Sequence, residues 1–191
     1  VDVEKKQVYH GGNFHGDYVS FEMDKMKIAI TKLSILAERQ LNFLLTERLN
    51  EVLPPFLNLG TLGLNLGLQG TQFTATSTVA ENQTLANPIY IHSIPNNSDN
   101  QDVVSMGTNA ALLCSRVIEN TYQVLSVEFL AILFAIEYLE IRSDLSGKSQ
   151  EFFDVLERLV QIAPEDSVKY RDLEAIKEHL SSNMPDVITE H

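Results

Sequence analysis

Apolar residues recur at helical spacing along most of the chain, and clusters of proline, glycine and asparagine divide that pattern into segments. Over residues 17–54 the apolar positions lie three or four residues apart with charged residues between them, which predicts an amphipathic helix. A second, unusually polar helix is predicted at 68–85. The longest helix is predicted from an N-cap at Asp102 or Ser105 to Arg142, and its middle is apolar almost all round. The pattern therefore predicts an all-α protein dominated by long helices.

The C-terminal part of the chain carries two shorter amphipathic patterns, at 149–162 and 171–182. Ser149 is the candidate N-cap of the first, and Ser167 or Asp166 that of the second. The length of the chain favours a single domain. We expect this domain to have three parts: an extended segment and glycine loop at 1–16, a long-helix core at 17–142, and peripheral helices with a frayed tail at 143–191.

The length of the predicted helices bears on assembly. A helix of roughly 38 residues is about 57 Å long at a rise of 1.5 Å per residue. A compact chain of this size, in contrast, is only roughly 40 Å wide. Two such helices would extend beyond a single-chain globule, so their apolar flanks need cover from other subunits. We therefore expect the chain to self-associate.

Two segments between the predicted helices lack charge or regular spacing. Residues 57–70 are rich in leucine and glycine and carry no charge, which predicts a buried loop, and their glycines match no phosphate-binding motif. Residues 93–107 carry a run of Asn, Gln and Asp side chains, which compete with the backbone for hydrogen bonds, so a loop is predicted here too. If this loop is buried, its amides must bond to one another, to backbone or to a ligand. Composition alone favours an exposed turn.

The charge balance excludes some classes of partner. The chain has 26 Asp and Glu against 14 Lys and Arg, a formal net charge of -12. Because nucleic acid and anionic membranes both attract basic patches, neither is an expected partner. The longest uninterrupted apolar run, at 129–136, is far shorter than the roughly 20 residues of a membrane span. Cys114 is the only cysteine and no signal peptide is visible, so a cytoplasmic location is expected.

The sequence shows no conventional catalytic set. Cys114 lies within an apolar helical pattern and lacks the open site that a nucleophile needs. His10 and His15 are five residues apart on a glycine-rich loop, which is no recognised ligand spacing, so no metal site is expected. Glu119 and Glu128 are interpreted as solvated or interhelical partners.

Five short blocks of sequence carry a family resemblance. In chain order they are G-G-N-F-H-G (11–16), E-R-Q-L-N (38–42), L-P-P-F-L (53–57), Q-F-T-A (72–75) and S-I-P-N-N-S-D-N-Q-D-V-V-S-M-G (93–107). Together, and in register, they resemble the histidine, phenylalanine and tyrosine ammonia-lyases and the related aminomutases. The resemblance covers the chain from residue 1 to about 142, and the last two helices match only loosely. It implies a helical homotetramer that eliminates ammonia from an aromatic amino acid to give an unsaturated acid.

The resemblance also implies a cofactor. The family's electrophile is a methylidene-imidazolone ring (MIO) formed from an Ala-Ser-Gly tripeptide, and this chain contains no Ala-Ser-Gly. The family's catalytic base lies on a tyrosine loop upstream of the region matched here. We therefore expect this chain to be the C-terminal part of the enzyme, with no cofactor-forming residue of its own, and to be inactive alone.

By position, the resemblance assigns four site residues. Phe14 matches the aromatic beside the electrophile and the substrate ring, and Asn100 and Gln101 match the catalytic amide pair near the electrophile. Asn97 matches a substrate-binding position that tends to be Asn in bacterial tyrosine enzymes, whereas histidine ammonia-lyases usually place Glu where Gln101 stands. A neutral amide suits a neutral aromatic ring and a carboxylate could pair with an imidazole, which favours tyrosine. Two alternatives remain: an aminomutase that returns ammonia to the neighbouring carbon, and a non-catalytic helical scaffold in which the loop only cross-links helices.

Overall fold

The computed structural model describes residues 1–11 and 15–183, and its regular structure is helical. No strand occurs in these two stretches, where β-type pairing is limited to isolated bridges. The prediction of an all-α chain is confirmed. The α-helices are α1 (Asp17–Leu45), α2 (Glu47–Asn50), α3 (Gln69–Leu85), α4 (Gly107–Leu139), α5 (Gly147–Glu157) and α6 (Tyr170–Ser182), with single 3-10 turns at Pro55–Leu57 and Arg142–Asp144.

Helix α4 forms the centre of the molecule and packs against α1, α3 and α6. Its middle is buried on all sides, as the apolar sequence there predicts. By length and composition α4 is the one helix among the described residues able to cross a membrane, but core helices of soluble proteins pass the same test. Over half of its most apolar window is buried inside the chain. The core includes Leu41, Leu45, Leu57, Leu68, Val124, Val127, Leu130, Leu133, Leu156 and Ile176.

Helix α1 ends earlier than the apolar pattern predicts. The pattern continues to Pro54, but Thr46 has extended backbone angles and separates α1 from the short α2. The Asn50 side chain accounts for the break, because its Nδ2 donates to the carbonyl oxygens of Phe43 and Leu44, at 2.9 and 3.2 Å. Its Oδ1 accepts from the Leu53 N–H at 2.7 Å. A side chain that competes for backbone groups in this way ends a helix despite favourable apolar spacing.

The predicted N-caps were wrong for all three later helices. Helix α4 begins at Gly107 after Met106, whose φ is 52°, and neither Asp102 nor Ser105 caps it. Ser146, not Ser149, caps α5, because its Oγ accepts from the Ser149 N–H at 3.3 Å. Helix α6 begins after Lys169 without a side-chain cap.

Asp166 has a different role from the predicted cap. Its carboxylate oxygens accept from the backbone N–H groups of Leu66 and Gly67, at 2.7 and 3.0 Å. The connection before α6 thus holds the loop before α3. The tip of that loop is exposed within a single chain, where Leu64 is 82% exposed, so one chain provides the predicted burial of residues 57–70 only near the ends of the loop. The exposed leucines are Leu62, Leu64 and Leu66.

The N-terminal half of α1 buries polar residues and exposes apolar ones. The buried side chains on this stripe are Ser20, Asp24, Lys27, Thr31 and Ser34. The exposed apolar side chains are Phe21, Met26, Ile28, Leu33 and Leu36. The helix follows the predicted spacing, but the single chain leaves the apolar face uncovered. The exposed charged residues Glu22, Lys25 and Lys32 lie among these apolar side chains, so the exposed face of α1 is apolar with charges interspersed. A cluster of exposed large apolar side chains is typical of an interaction surface.

A buried amide joins the polar stripe to two other helices. The Asn82 Nδ2 on α3 donates to Ser34 Oγ at 3.2 Å and to Thr121 Oγ1 on α4 at 3.3 Å. Both hydroxyls donate to carbonyl oxygens of their own helices, which leaves them free to accept from Asn82. Because buried polar groups are costly unless bonded, this network fixes the register of α1, α3 and α4.

Candidate functional site

The Asn-rich segment forms a tight turn between α3 and α4. The backbones of Asn96 and Gln101 exchange two hydrogen bonds, of 3.1 and 3.3 Å, and the Asn100 N–H donates to the Asn97 carbonyl at 3.2 Å. Asn97, Ser98 and Asp99 have φ values of 55, 54 and 62°. Asn and Asp tolerate this left-handed conformation better than other non-glycine residues, which explains their concentration here.

The turn brings three of the four predicted site residues together. Asn97, Asn100 and Gln101 lie within one six-residue turn, and their side chains are exposed. Within residues 1–11 and 15–183 these three side-chain amides make no hydrogen bond, so they remain available to a ligand. The expectation that buried amides bond one another does not apply, because the single chain leaves them in solvent.

Phe14, the fourth predicted site residue, lies outside the described residues. The backbone that follows it approaches the foot of the Asn-rich turn. A Cβ placed on Gly107 would lie 3.4 Å from the Gly16 carbonyl oxygen, and one placed on Gly16 would lie 3.7 Å from Ser105 Oγ. Gly16 also has a φ of 69°, which favours glycine. The glycine loop therefore ends beside the start of α4.

Two sets of hydrogen bonds hold the segment between α3 and α4. The first joins the two ends of the Asn-rich loop, where the Val104 N–H donates to Ser93 Oγ at 3.0 Å. On the side of α3, the Lys27 Nζ donates to the Asn87 carbonyl at 2.8 Å and Asp24 Oδ2 accepts from the Tyr90 N–H at 2.7 Å. Sequence reasoning missed both α1 residues, because a charged pair at helical spacing looks like part of a solvated face.

Two of the sequence blocks that carry the family resemblance contact each other between α1 and α3. Thr76 Oγ1 donates to Glu38 Oε1 at 3.2 Å, and Gln72 Nε2 donates to Asn42 Oδ1 at 3.2 Å. The second Glu38 oxygen accepts from Arg39 Nε at 2.6 Å. These two blocks therefore join α1 to α3. The contact lies farther along α1 than the residues that hold the segment leading into the Asn-rich turn.

Two titratable groups on α4 are perturbed by burial. Burial raises the pKa of the Glu128 carboxyl from 4.5 to about 7, and it also raises the pKa of the Cys114 thiol. A protonated, buried thiol is a poor nucleophile, in agreement with the interpretation from the sequence. Glu119 is an interhelical partner, as predicted, because it lies 3.7 Å from Lys177 Nζ on α6. Glu128 is buried, and it makes no ion pair with another helix within the described residues. It lines a groove together with Arg39.

Across 1–11 and 15–183, no cluster of three or more His, Cys, Asp or Glu side chains is arranged to hold a metal ion. The Asn-rich turn therefore offers a ligand hydrogen bonds from the neutral side-chain amides of Asn97, Asn100 and Gln101.

Comparison with known proteins defines the class. The family model described as aromatic amino acid lyase matches residues 1–158. The chain is 41% identical over 178 residues to the MIO-dependent tyrosine 2,3-aminomutase of Streptomyces globisporus, covering 93% of this chain and 33% of that protein. It is 40% identical over 173 residues to the tyrosine ammonia-lyase of Cupriavidus metallidurans, covering 91% of this chain and 32% of that protein.

The comparison of folds agrees. The crystal structure of tyrosine aminomutase from Streptomyces globisporus superposes with a TM-score of 0.89 at 40% identity, covering 95% of this chain and 34% of that one. The chain belongs to the aromatic amino acid lyase family. It spans about a third of the length of the curated relatives that it matches.

Proposed function

We propose that the chain is the C-terminal part of a longer aromatic amino acid ammonia-lyase that eliminates ammonia from tyrosine to give the unsaturated acid. The observation that carries this proposal is the convergence of Asn97, Asn100 and Gln101 in one turn with unbonded amides. The left-handed backbone explains Asn97 and Asp99, but it does not require amide side chains at positions 100 and 101, whose donors and acceptors remain available to a ligand.

The proposal that tyrosine is the substrate rests on the uncharged side chain of Gln101. Gln101 is a neutral amide where, by the resemblance, histidine enzymes usually carry a carboxylate. A carboxylate would favour a protonated imidazole, whereas an amide has no charge to pair with it and accommodates a neutral ring. Overall similarity does not separate the substrates, because a histidine ammonia-lyase of Staphylococcus saprophyticus is 39% identical over 173 residues.

The residues of the turn fit the cofactor that one relative's name includes. Side-chain amides each supply two N–H donors and a carbonyl acceptor, a set that suits a ring bearing a carbonyl and ring nitrogens. We propose that Asn100 and Gln101 hydrogen-bond to MIO and orient the amino end of the substrate. MIO supplies an electrophile to the substrate amine. Since no Ala-Ser-Gly occurs in these 191 residues, we propose that the ring forms on polypeptide outside them and that the chain alone is inactive.

Self-association is part of the proposal. A single chain leaves large apolar side chains exposed on α1 and, as leucines, in the 57–70 loop. Such clusters are typical of interaction surfaces. We propose a homotetramer in which these faces are covered by other copies. The length of the helices supports this proposal, because α4 with 33 residues is about 50 Å long and α1 with 29 residues about 44 Å, against roughly 40 Å for the width of a compact chain of this size.

Replacing Leu36 by glutamate tests the assembly. Leu36 is half exposed on the α1 face, so a charge there should cost little within one chain but should disfavour an apolar interface. We expect a smaller mass by light scattering at micromolar concentration, with an unchanged helical signal. The matched control is Val168→Glu, at an exposed apolar residue between α5 and α6. An unchanged mass for Leu36→Glu, or a wild-type chain that is monomeric, would contradict the proposed assembly.

An aminomutase is the second candidate function. A tyrosine 2,3-aminomutase of Chondromyces crocatus is 48% identical over 121 residues, which cover 63% of this chain. Both reactions begin from the same amino acid, so product analysis decides between them. A lyase releases the unsaturated acid and free ammonia, whereas an aminomutase accumulates the β-amino acid.

The deciding experiment uses the complete protein with tyrosine, phenylalanine and histidine in parallel. We expect coumarate and ammonia in equal amounts from tyrosine, slower turnover of phenylalanine and none of histidine. Turnover of histidine without turnover of tyrosine would reverse the substrate proposal. The 191-residue chain is assayed beside it, and formation of coumarate, cinnamate or urocanate by that chain would refute its proposed inactivity.

A further inference from the structure

A buried ion pair on α1 holds the segment that leads into the Asn-rich turn. Asp24 and Lys27 are 2% and 0% exposed, and Lys27 Nζ lies 2.9 Å from Asp24 Oδ1. Each partner also bonds to loop backbone: Lys27 donates to the Asn87 carbonyl and Asp24 accepts from the Tyr90 N–H. One charged pair therefore fixes both an acceptor and a donor of the same short segment.

A contact between two aromatic rings also holds residues 87–90 against α1. The Phe21 and Tyr90 ring centroids lie 5.2 Å apart, so the residue whose N–H binds Asp24 also packs on α1 through its side chain. The next turn is closed by the His92 N–H, which donates to the Ile89 carbonyl at 2.8 Å. Together these contacts define where residues 93–104 leave the helical core.

Stability alone does not explain a buried charged pair. Burying two charges carries a desolvation cost that can equal the attraction between them, and apolar replacements are often as stable. The pair does, however, supply directional hydrogen bonds that an apolar contact cannot give. Backbone groups fixed in this way restrict the loop that carries Asn97, Asn100 and Gln101.

We propose that Asp24 and Lys27 are positioning residues that place the Asn-rich turn for catalysis. This inference rests on the proposed function for its effect on turnover. Neither residue touches the turn's amides, so their influence passes through the backbone of residues 87–90. Misplacing a binding group by about 1 Å can lower a rate by about 100-fold, so a small displacement of the loop should be measurable.

The principal test replaces both charges together. The double variant Asp24→Leu with Lys27→Met leaves no unpaired buried charge and removes both bonds to the loop. By hydrogen exchange on the 191-residue chain, we expect the Tyr90 amide to exchange at least about tenfold faster while the α4 amides are unchanged. In the complete protein we expect kcat to fall at least about tenfold. Lys27→Arg keeps a donor for Asn87 and should retain most of the turnover.

The matched control is the exposed pair two residues earlier on the same helix. Glu22 and Lys25 have the same spacing and lie 2.7 Å apart, but both side chains are more than half exposed. The variant Glu22→Gln breaks this pair and keeps Lys25, whose Nζ lies 5.0 Å from the Phe21 ring centroid, so it should change neither the exchange of Tyr90 nor kcat. If the buried double variant does not fold, Asp24→Glu serves instead, because it keeps the charge and shifts the acceptor by one methylene; it should lower kcat while the protein stays folded.

The outcomes separate this inference from the proposed function. A folded double variant with unchanged Tyr90 exchange and unchanged kcat would overturn the inference, and so would unchanged kcat in Asp24→Glu. A kcat that falls only in proportion to the folded fraction would make the pair merely structural and would also overturn it. A wild-type protein that turns over no aromatic amino acid would refute the proposed function instead, and the exchange measurement would still test how the pair holds the loop.

Discussion

Replacing Gln101 by leucine in the complete protein is expected to lower kcat by about 10²–10³-fold, the usual effect of removing one donor that acts in the transition state. The thermal midpoint should change little, because the Gln101 side chain is exposed and no hydrogen bond to it is recorded among the described residues. The backbone bonds between residues 101 and 96 do not depend on the side chain. Steady-state kinetics and a thermal scan on the same preparation give both quantities.

The control for Gln101 is Asn96→Ala, on the opposite side of the same backbone pair. Its side chain is also exposed, so substitution should leave both kcat and stability close to the wild type. The scaffold alternative predicts the reverse pattern for Gln101→Leu, with a lower thermal midpoint and no specific loss of turnover. The variant Gln101→Glu adds a test of substrate choice, since a carboxylate should reduce the preference for tyrosine over histidine.

The helices could be predicted from the sequence because their determinants are local. Apolar spacing located α1, α3 and α4, and the predicted bounds of α3 differ by one residue from those observed. The breaks were harder to predict, because they depend on side chains that satisfy backbone groups some residues away. Asn50 ends α1 through carbonyls six and seven residues earlier, and Asp166 binds a loop about 100 residues earlier. Apolar spacing contains no signal for either contact.

The candidate site was predictable only in part. The run of Asn and Asp residues predicted a turn, and the structure shows how those residue types adopt its left-handed backbone. The buried charges of α1 were not predictable, because periodicity indicates which residues share a face but not which face the rest of the chain will cover. In the N-terminal half of α1 the covered face is the polar one, whereas the C-terminal half buries apolar residues such as Leu41 and Leu45.

The variant Glu128→Gln is expected to stabilise the chain at pH 8 by about 2–3 kcal/mol more than at pH 5. Burial raises the pKa of Glu128 from 4.5 to about 7, so between those values the folded state holds a proton that the unfolded state has released. The stability of the wild type therefore falls as the pH rises from about 4.5 to about 7, and changes little above that range. Glutamine resembles the protonated carboxyl in size and is not ionised, so the variant should lack this loss.

The matched control is Glu119→Gln, on the same helix, because Glu119 is exposed and lies near Arg116 and Lys177. Urea unfolding of the three chains at both pH values gives the comparison, and the control should gain no stability at pH 8. An equal effect of Glu128→Gln at both pH values would show that the carboxyl titrates normally.

Glu128 lines a groove of about 400 Å³ together with Arg39, Phe43 and Ile132. A cation that another copy brought close to Glu128 would lower the pKa of its carboxyl, and the pH dependence of stability would then weaken as assembly increases. Measuring the dependence at two protein concentrations thus links the titration of one carboxyl to the proposed tetramer.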